Sequence, residues 1–197
     1  MTRRLILASA SKARGDMLRG AGVTFETIPA DIDESAAQQK AVRPEDIALQ
    51  LAQQKALHVA KQNPDALVIG SDQVLEFEGS LLTKSATTEK ALTKLRAMNG
   101  KPHRLISAVA LAQGQDSVWS THDSATLTMN SLTEAELTAY ASRAGEALTS
   151  AVGGYWLEDI GAWLFERIEG DYFTILGMPL LPLLNQLRTQ HNMGWTA

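Results

Sequence analysis

The chain has 197 residues, 45% apolar and 20% charged, with a net charge of -4 and no cysteine. The length and balance fit one globular domain over residues 1–197, with room for two lobes around one continuous core. The acidic balance leaves no electrostatic footprint for DNA or RNA, so a polyanionic ligand would need a local basic pocket. Disulfides, thiolate catalysis and zinc–thiolate sites are excluded. The apolar run at residues 5–8 turns polar at Ser9, too early for a signal peptide, and no run approaches the ~20 residues that span a bilayer. The expectation is a soluble cytoplasmic protein without a nucleic-acid or membrane partner.

In chain order, Leu5-Ile-Leu-Ala8 predicts a buried strand, and residues 14–19 a short helix closed by Gly20 and Gly22. Residues 25–28 predict a second strand before Pro29, and 31–40 an acidic loop. Pro44 opens a long helix over residues 45–61. Residues 66–70 form the clearest buried strand, with Ser71 and Asp72 at its exit. The strand resumes over 73–77 and turns at Glu78-Gly79. Thr87 or Thr88 caps a helix to Met98, stopped by Asn99-Gly100. Residues 104–112 and 118–129 read as long strands. Thr133-Glu-Ala-Glu136 is a capping box for a helix to Arg143. Gly153-Gly154 is a loop, 162–168 a strand, and 178–189 a final amphipathic helix. Together these predict an α/β fold with a mixed sheet.

No G-x-x-x-x-G-K-[ST], H-E-x-x-H or G-x-S-x-G occurs, and the four histidines are scattered. A metal, if used, would be held by oxygen ligands, pointing to Mg²⁺ or Mn²⁺. Four features offer chemistry. Ser9-Ala-Ser11-Lys12-Ala13-Arg14 places two hydroxyls and two cations at a helix start. Either an anion sits there on the free N–H groups, or Ser9 or Ser11 caps the helix and the cations face water. Lys55 shares a helix stripe with Ile47, Leu51 and Val59. Its ammonium either snorkels out or meets buried negative charge. Asp72, beyond a buried strand, is a base or metal ligand, or else an Asx turn. Asp31, Asp33 and Glu34 are an acidic loop or part of a metal site, and Lys84 and Glu158 are loop charges.

Ordered along the chain, these segments resemble the Maf family of nucleotide pyrophosphatases. The resemblance rests on Leu7-Ala-Ser-Ala-Ser-Lys-Ala-Arg14, Asp31-Ile-Asp-Glu34, Gln50-Leu-Ala-Gln-Gln-Lys55-Ala56, Gly70-Ser-Asp72-Gln-Val74, Thr83-Lys84-Ser85 and Ile175-Leu-Gly-Met-Pro179. It implies an elongated mixed-sheet fold with a central cleft, similar to inosine triphosphatases. It also implies hydrolysis of a nucleoside triphosphate to a monophosphate and pyrophosphate. By resemblance, Asp72 is the proton acceptor, with Mg²⁺ or Mn²⁺ at Asp72 and Glu34. Ser9, Ser11, Arg14, Lys55 and Lys84 would hold the triphosphate. A homodimer is the family's expectation. Two departures stand out: Ala13 replaces the first of the family's paired arginines, with Lys12 beside it, and Ser85 replaces a proline.

Positions 13, 73 and 158 track the base in this family. Gln73 and Glu158 resemble the 7-methyl-GTP branch, whereas the dTTP/UTP branch has Thr and Gln there, and Ala13 fits neither. The chemistry agrees with the first branch: a carboxylate accepts both guanine donors, N1–H and the exocyclic amine, and 7-methylation adds positive charge. Tyr155 and Trp156 lie beside Glu158, available to stack on a base or to fill the core. The alternatives are a dTTP/UTP pyrophosphatase, an enzyme for ITP or XTP, and a non-catalytic nucleotide-binding regulator of cell division.

Overall fold

A computed structural model describes residues 4–33 and 43–193. They form a mixed α/β fold whose seven strands are hydrogen-bonded in the order β2-β1-β3-β5-β6-β7, with β4 beside β3. The strands are β1 (Leu5–Leu7), β2 (Glu26–Thr27), β3 (Leu67–Phe77), β4 (Ser80–Leu82), β5 (Pro102–Gln113), β6 (Asp116–Met129) and β7 (Phe165–Glu169). The chain divides into two compact units, and β3, β5 and β6 each run from one into the other. Among the described residues no helix is long and apolar enough to cross a membrane.

The first unit comprises Met1–Gln73, Ser107–Asp123 and Gly177–Ala197. Its β1 is wholly buried and pairs in parallel with β2 and with the start of β3, where Leu5, Ile6 and Leu7 oppose Leu67, Val68 and Ile69. Parallel neighbours need crossover connections. One is α1 (Lys12–Gly20); the other includes α2 (Pro44–Gln62). Helix α2 starts with Pro44 and carries Glu45 and Asp46 in its first turn and Lys61 in its last, which suits the helix dipole. Its buried face is a row of Ala48, Ala52, Ala56 and Ala60 flanked by Ile47, Leu51 and Val59. Small residues at four-residue spacing give a flat surface that can lie close against a strand. A last helix, α7 (Leu180–His191), buries Leu180, Leu183 and Leu187 and ends at Asn192 in the left-handed conformation.

The second unit comprises Val74–Ile106 and Ser124–Leu176. The end of β3 turns back into β4 through Glu78 and Gly79, both at positive φ, the conformation a two-residue hairpin needs. Helix α3 (Thr88–Met98) is capped by Thr87, and α4 (Glu134–Arg143) by the reciprocal Thr133–Glu136 box. Their apolar faces, Leu95 and Met98 on one and Leu137 and Tyr140 on the other, join Leu105, Leu127, Met129 and Leu164 in one core. Two short helices, α5 (Ala147–Ser150) and α6 (Tyr172–Ile175), were not anticipated. The strand expected over 162–168 is corrected as well. Residues Ile160–Leu164 form a 3₁₀ turn capped by Asp159, and pairing with β6 begins only at Phe165. Gly161 explains this: a Cβ there would lie 2.3 Å from the Trp156 carbonyl oxygen, so the backbone folds onto itself rather than extending.

His103 is buried in this core, with Nε2 2.6 Å from the Tyr155 hydroxyl. The tyrosine O–H is the natural donor to a neutral imidazole, and Nδ1 has no hydrogen-bond partner among the described residues. Burial pushes the imidazole down to about 4. An unfolded histidine takes its proton near pH 6.5, so folding stability is full above that value and declines as the pH falls toward 4. The loss is about 2–3 kcal/mol over roughly two pH units. Urea unfolding between pH 7 and 4.5 should follow this slope. An equally steep slope in His103→Phe would assign it elsewhere.

Candidate active site

The centre of the site is where β3 meets α2. Gly70 lies on β3 without a side chain, and a Cβ added there would stand 2.2 Å from the Ala52 carbonyl oxygen and 2.5 Å from the Ala56 nitrogen. Strand and helix therefore touch backbone to backbone, which only glycine allows. Two residues further, on the same face of the strand, Asp72 reaches the helix. Its Oδ1 accepts from Lys55 Nζ at 2.6 Å, and the two side chains are only 9% and 12% exposed. Lys55 thus turns inward to negative charge rather than snorkelling outward.

Asp72 is also not where the sequence put it. It lies inside the eleven-residue β3, not beyond its end, so the Asx-turn reading falls. The apolar run breaks at Ser71-Asp72, but both residues have partners and the strand continues through them. Ser71 Oγ stands 2.8 Å from the Ala108 carbonyl and 2.9 Å from the Gly177 carbonyl, sharing one proton between them.

The opening turn follows β1, whose end is tied to β3 by Ala8 N–H donating to the Ile69 carbonyl at 2.8 Å. Ser11 caps α1 by accepting from the Arg14 N–H at 3.4 Å. Buried Ser9 accepts from the Ser11 N–H at 3.2 Å and from Arg14 Nη1 at 3.1 Å. Arg14 Nε donates to the Gly177 carbonyl at 2.9 Å. These two side-chain contacts orient the guanidinium. Lys12 behaves differently. Its side chain is 89% exposed and pairs with Asp16 one helical turn on, so it does not replace the arginine missing at Ala13. Of the capping reading of this turn, Ser11 is the cap and Lys12 faces water, whereas Arg14 is folded in.

Gly177, at φ +109°, is the unanticipated member of this group. Its carbonyl links Arg14 to Ser71, and a Cβ there would stand 3.4 Å from Arg14 Nε. Both G-S-D and I-L-G-M-P were visible as motifs, but a carbonyl acceptor leaves no signature in sequence. On the opposite face of β3 from Asp72, Gln73 Nε2 donates to Ser107 Oγ at 3.0 Å. Ala13 lies half-buried in α1.

Two predicted site residues belong to the second unit. Lys84 is exposed in the loop between β4 and α3 and has no ion-pair partner among the described residues. Glu158 is exposed in the turn before the 3₁₀ segment. Of the two aromatics beside it, Tyr155 is buried against His103 and Phe165 and is core, whereas Trp156 is 36% exposed. Glu34 lies outside the described residues. Among those described, no three acidic or histidine side chains cluster as a ready-made metal cage. The donor set fits a hard cation that takes one carboxylate and fills its remaining positions with phosphate oxygens and water.

The Maf-like protein family profile matches residues 4–190. A nucleoside triphosphate pyrophosphatase of Rhodopseudomonas palustris (strain BisB18) is 48% identical over 193 residues, covering 97% of this chain and 96% of its own. A 7-methyl-GTP pyrophosphatase of Brucella abortus biovar 1 (strain 9-941) is 43% identical, covering 96% of this chain and 98% of its own. Among solved structures, a HAM1 protein from Coxiella burnetii aligns with 66% of this chain and 74% of its own at 16% identity, with a TM-score of 0.43, too loosely to inform the site. On the extent of the family match and the identity to these relatives, the chain belongs to the Maf-like protein family.

Proposed function

We propose that the protein hydrolyses a nucleoside triphosphate between its α and β phosphates, releasing a nucleoside monophosphate and pyrophosphate in the cytoplasm. The observation that carries this reading is the buried Lys55–Asp72 pair, joined through β3 and the Gly177 carbonyl to the inward-folded Arg14. In this reading Asp72 accepts the proton of the attacking water. Lys55 fixes the carboxylate and adds positive charge beside it. Ser9, Ser11 and Arg14 bind phosphate oxygens, and so does Lys84 from its loop. A positioned base supplies about 10²–10⁴-fold in rate, and charge neutralisation around the phosphates most of the rest. Asp72, with Glu34, would hold Mg²⁺ or Mn²⁺, which supplies further neutralisation when bound. The names of the relatives support the same reaction.

For the base, Gln73 and Glu158 favour 7-methyl-GTP, with exposed Trp156 available for a cationic ring. A nucleotide panel with Mn²⁺ tests both levels. Pyrophosphate release is expected with at least a tenfold higher kcat/KM on 7-methyl-GTP than on UTP, dTTP or ITP. Glu158→Gln should lower that value about 10- to 100-fold, the loss of a charge-assisted pair. A preference for UTP or dTTP would refute the base assignment alone; silence on every triphosphate would refute the reaction.

A further inference from the structure

The loop that carries Lys84 is held by a second lysine. Lys94 stands on α3, half-buried, and its ammonium donates to two backbone carbonyls, those of Thr83 and Val152, the latter at 2.7 Å. Both acceptors are neutral, and Lys94 has no carboxylate partner among the described residues. A cation partly removed from water usually pairs with an anion; here it joins two loops instead. Burial pushes its pKa down.

The two loops are not equal. The 152–154 segment is anchored from another side, because the buried Tyr140 hydroxyl donates to the Gly154 carbonyl at 2.9 Å. Gly153, Gly154 and Tyr155 are all buried. The 83–84 segment is exposed. Lys94 therefore ties an exposed segment to an anchored one. The residue after Thr83 is Lys84, an exposed cation whose binding of phosphate depends on its being held in place. A long side chain that must be ordered on binding loses affinity through that ordering.

We propose that Lys94 is a positioning residue, fastening the Lys84 loop to the 152–154 segment so that Lys84 is presented to the triphosphate. This rests on the reading of Lys84 as a phosphate ligand. The test is a double-mutant cycle. Lys94→Met, which keeps the stem and removes the donors, should raise KM about three- to tenfold with kcat within twofold. Lys94→Arg should restore KM to within twofold. In a Lys84→Ala background, Lys94→Met should change KM by less than 1.5-fold, which a merely structural role would not produce. Hydrogen exchange should quicken at 83–86 and 152–154 in Lys94→Met while β1 and the start of β3 stay protected. An unchanged KM in Lys94→Met, or an equal rise in both backgrounds, overturns the proposal. Should the wild type release no pyrophosphate, the hydrolase reading fails by itself. The cycle is then run on affinity for inorganic tripolyphosphate, where four equal affinities overturn the clamp.

Discussion

Asp72→Asn is expected to lower kcat about 10²–10⁴-fold while leaving KM within about threefold. The amide keeps an oxygen toward Lys55 but cannot take a proton from water. Since the pair is buried, the change also strands the ammonium without its counter-charge. Removing one partner of a buried pair costs up to about 3–5 kcal/mol, so unfolding must be measured beside turnover. A second variant separates the two effects. Replacing both partners, Lys55→Met with Asp72→Leu, should recover stability, because an apolar pair of similar volume packs as well as a buried ion pair. It should not recover turnover. If the apolar pair hydrolysed nucleotide at the wild-type rate, or Asp72→Asn did, the carboxylate would not be the base.

Gly70→Ala should destabilise the protein by about 3 kcal/mol or more. The new methyl would stand 2.2 Å from one backbone atom of α2 and 2.5 Å from another. Backbone cannot rotate away as a side-chain tip can, so helix and strand must part. That separation also pulls Lys55 off Asp72, and turnover should fall in the variant that still folds. Gly20→Ala is the control, since a Cβ there meets nothing within 4 Å. Its effect should stay within about 0.5 kcal/mol. Equal urea midpoints for the two variants would mean that the close approach at Gly70 carries no energetic weight.

The elements read correctly from sequence are those whose causes are local. Pro44, the Thr87 cap, the Thr133–Glu136 box and the Glu78-Gly79 turn each act within a few residues. The 3₁₀ segment at Ile160–Leu164 was missed because its cause, the fit of Gly161 against Trp156, is a matter of packing rather than pattern. At the site, the motifs singled out Lys55 and Asp72, which the structure pairs, but could not choose between readings. Lys55 faced two fates until Gly70 brought helix and strand together. Asp72 was placed outside its strand because hydroxyl and carboxylate interrupt the apolar run, although both are buried with partners. Lys94 left no trace at all, since its acceptors are carbonyls that any residue at 83 and 152 would supply.

One consequence follows from the alternation along β3. Gly70 and Asp72 look toward α2, and Ser71 and Gln73 look the other way. Neighbouring positions thus meet different partners, Lys55 of α2 for Asp72 and Ser107 of β5 for Gln73. If the proposed roles hold, such a layout would let substrate preference drift by single steps during evolution while the bond-breaking equipment is inherited intact. Lineages that diverged in this way would keep one reaction and differ in the nucleotide they remove.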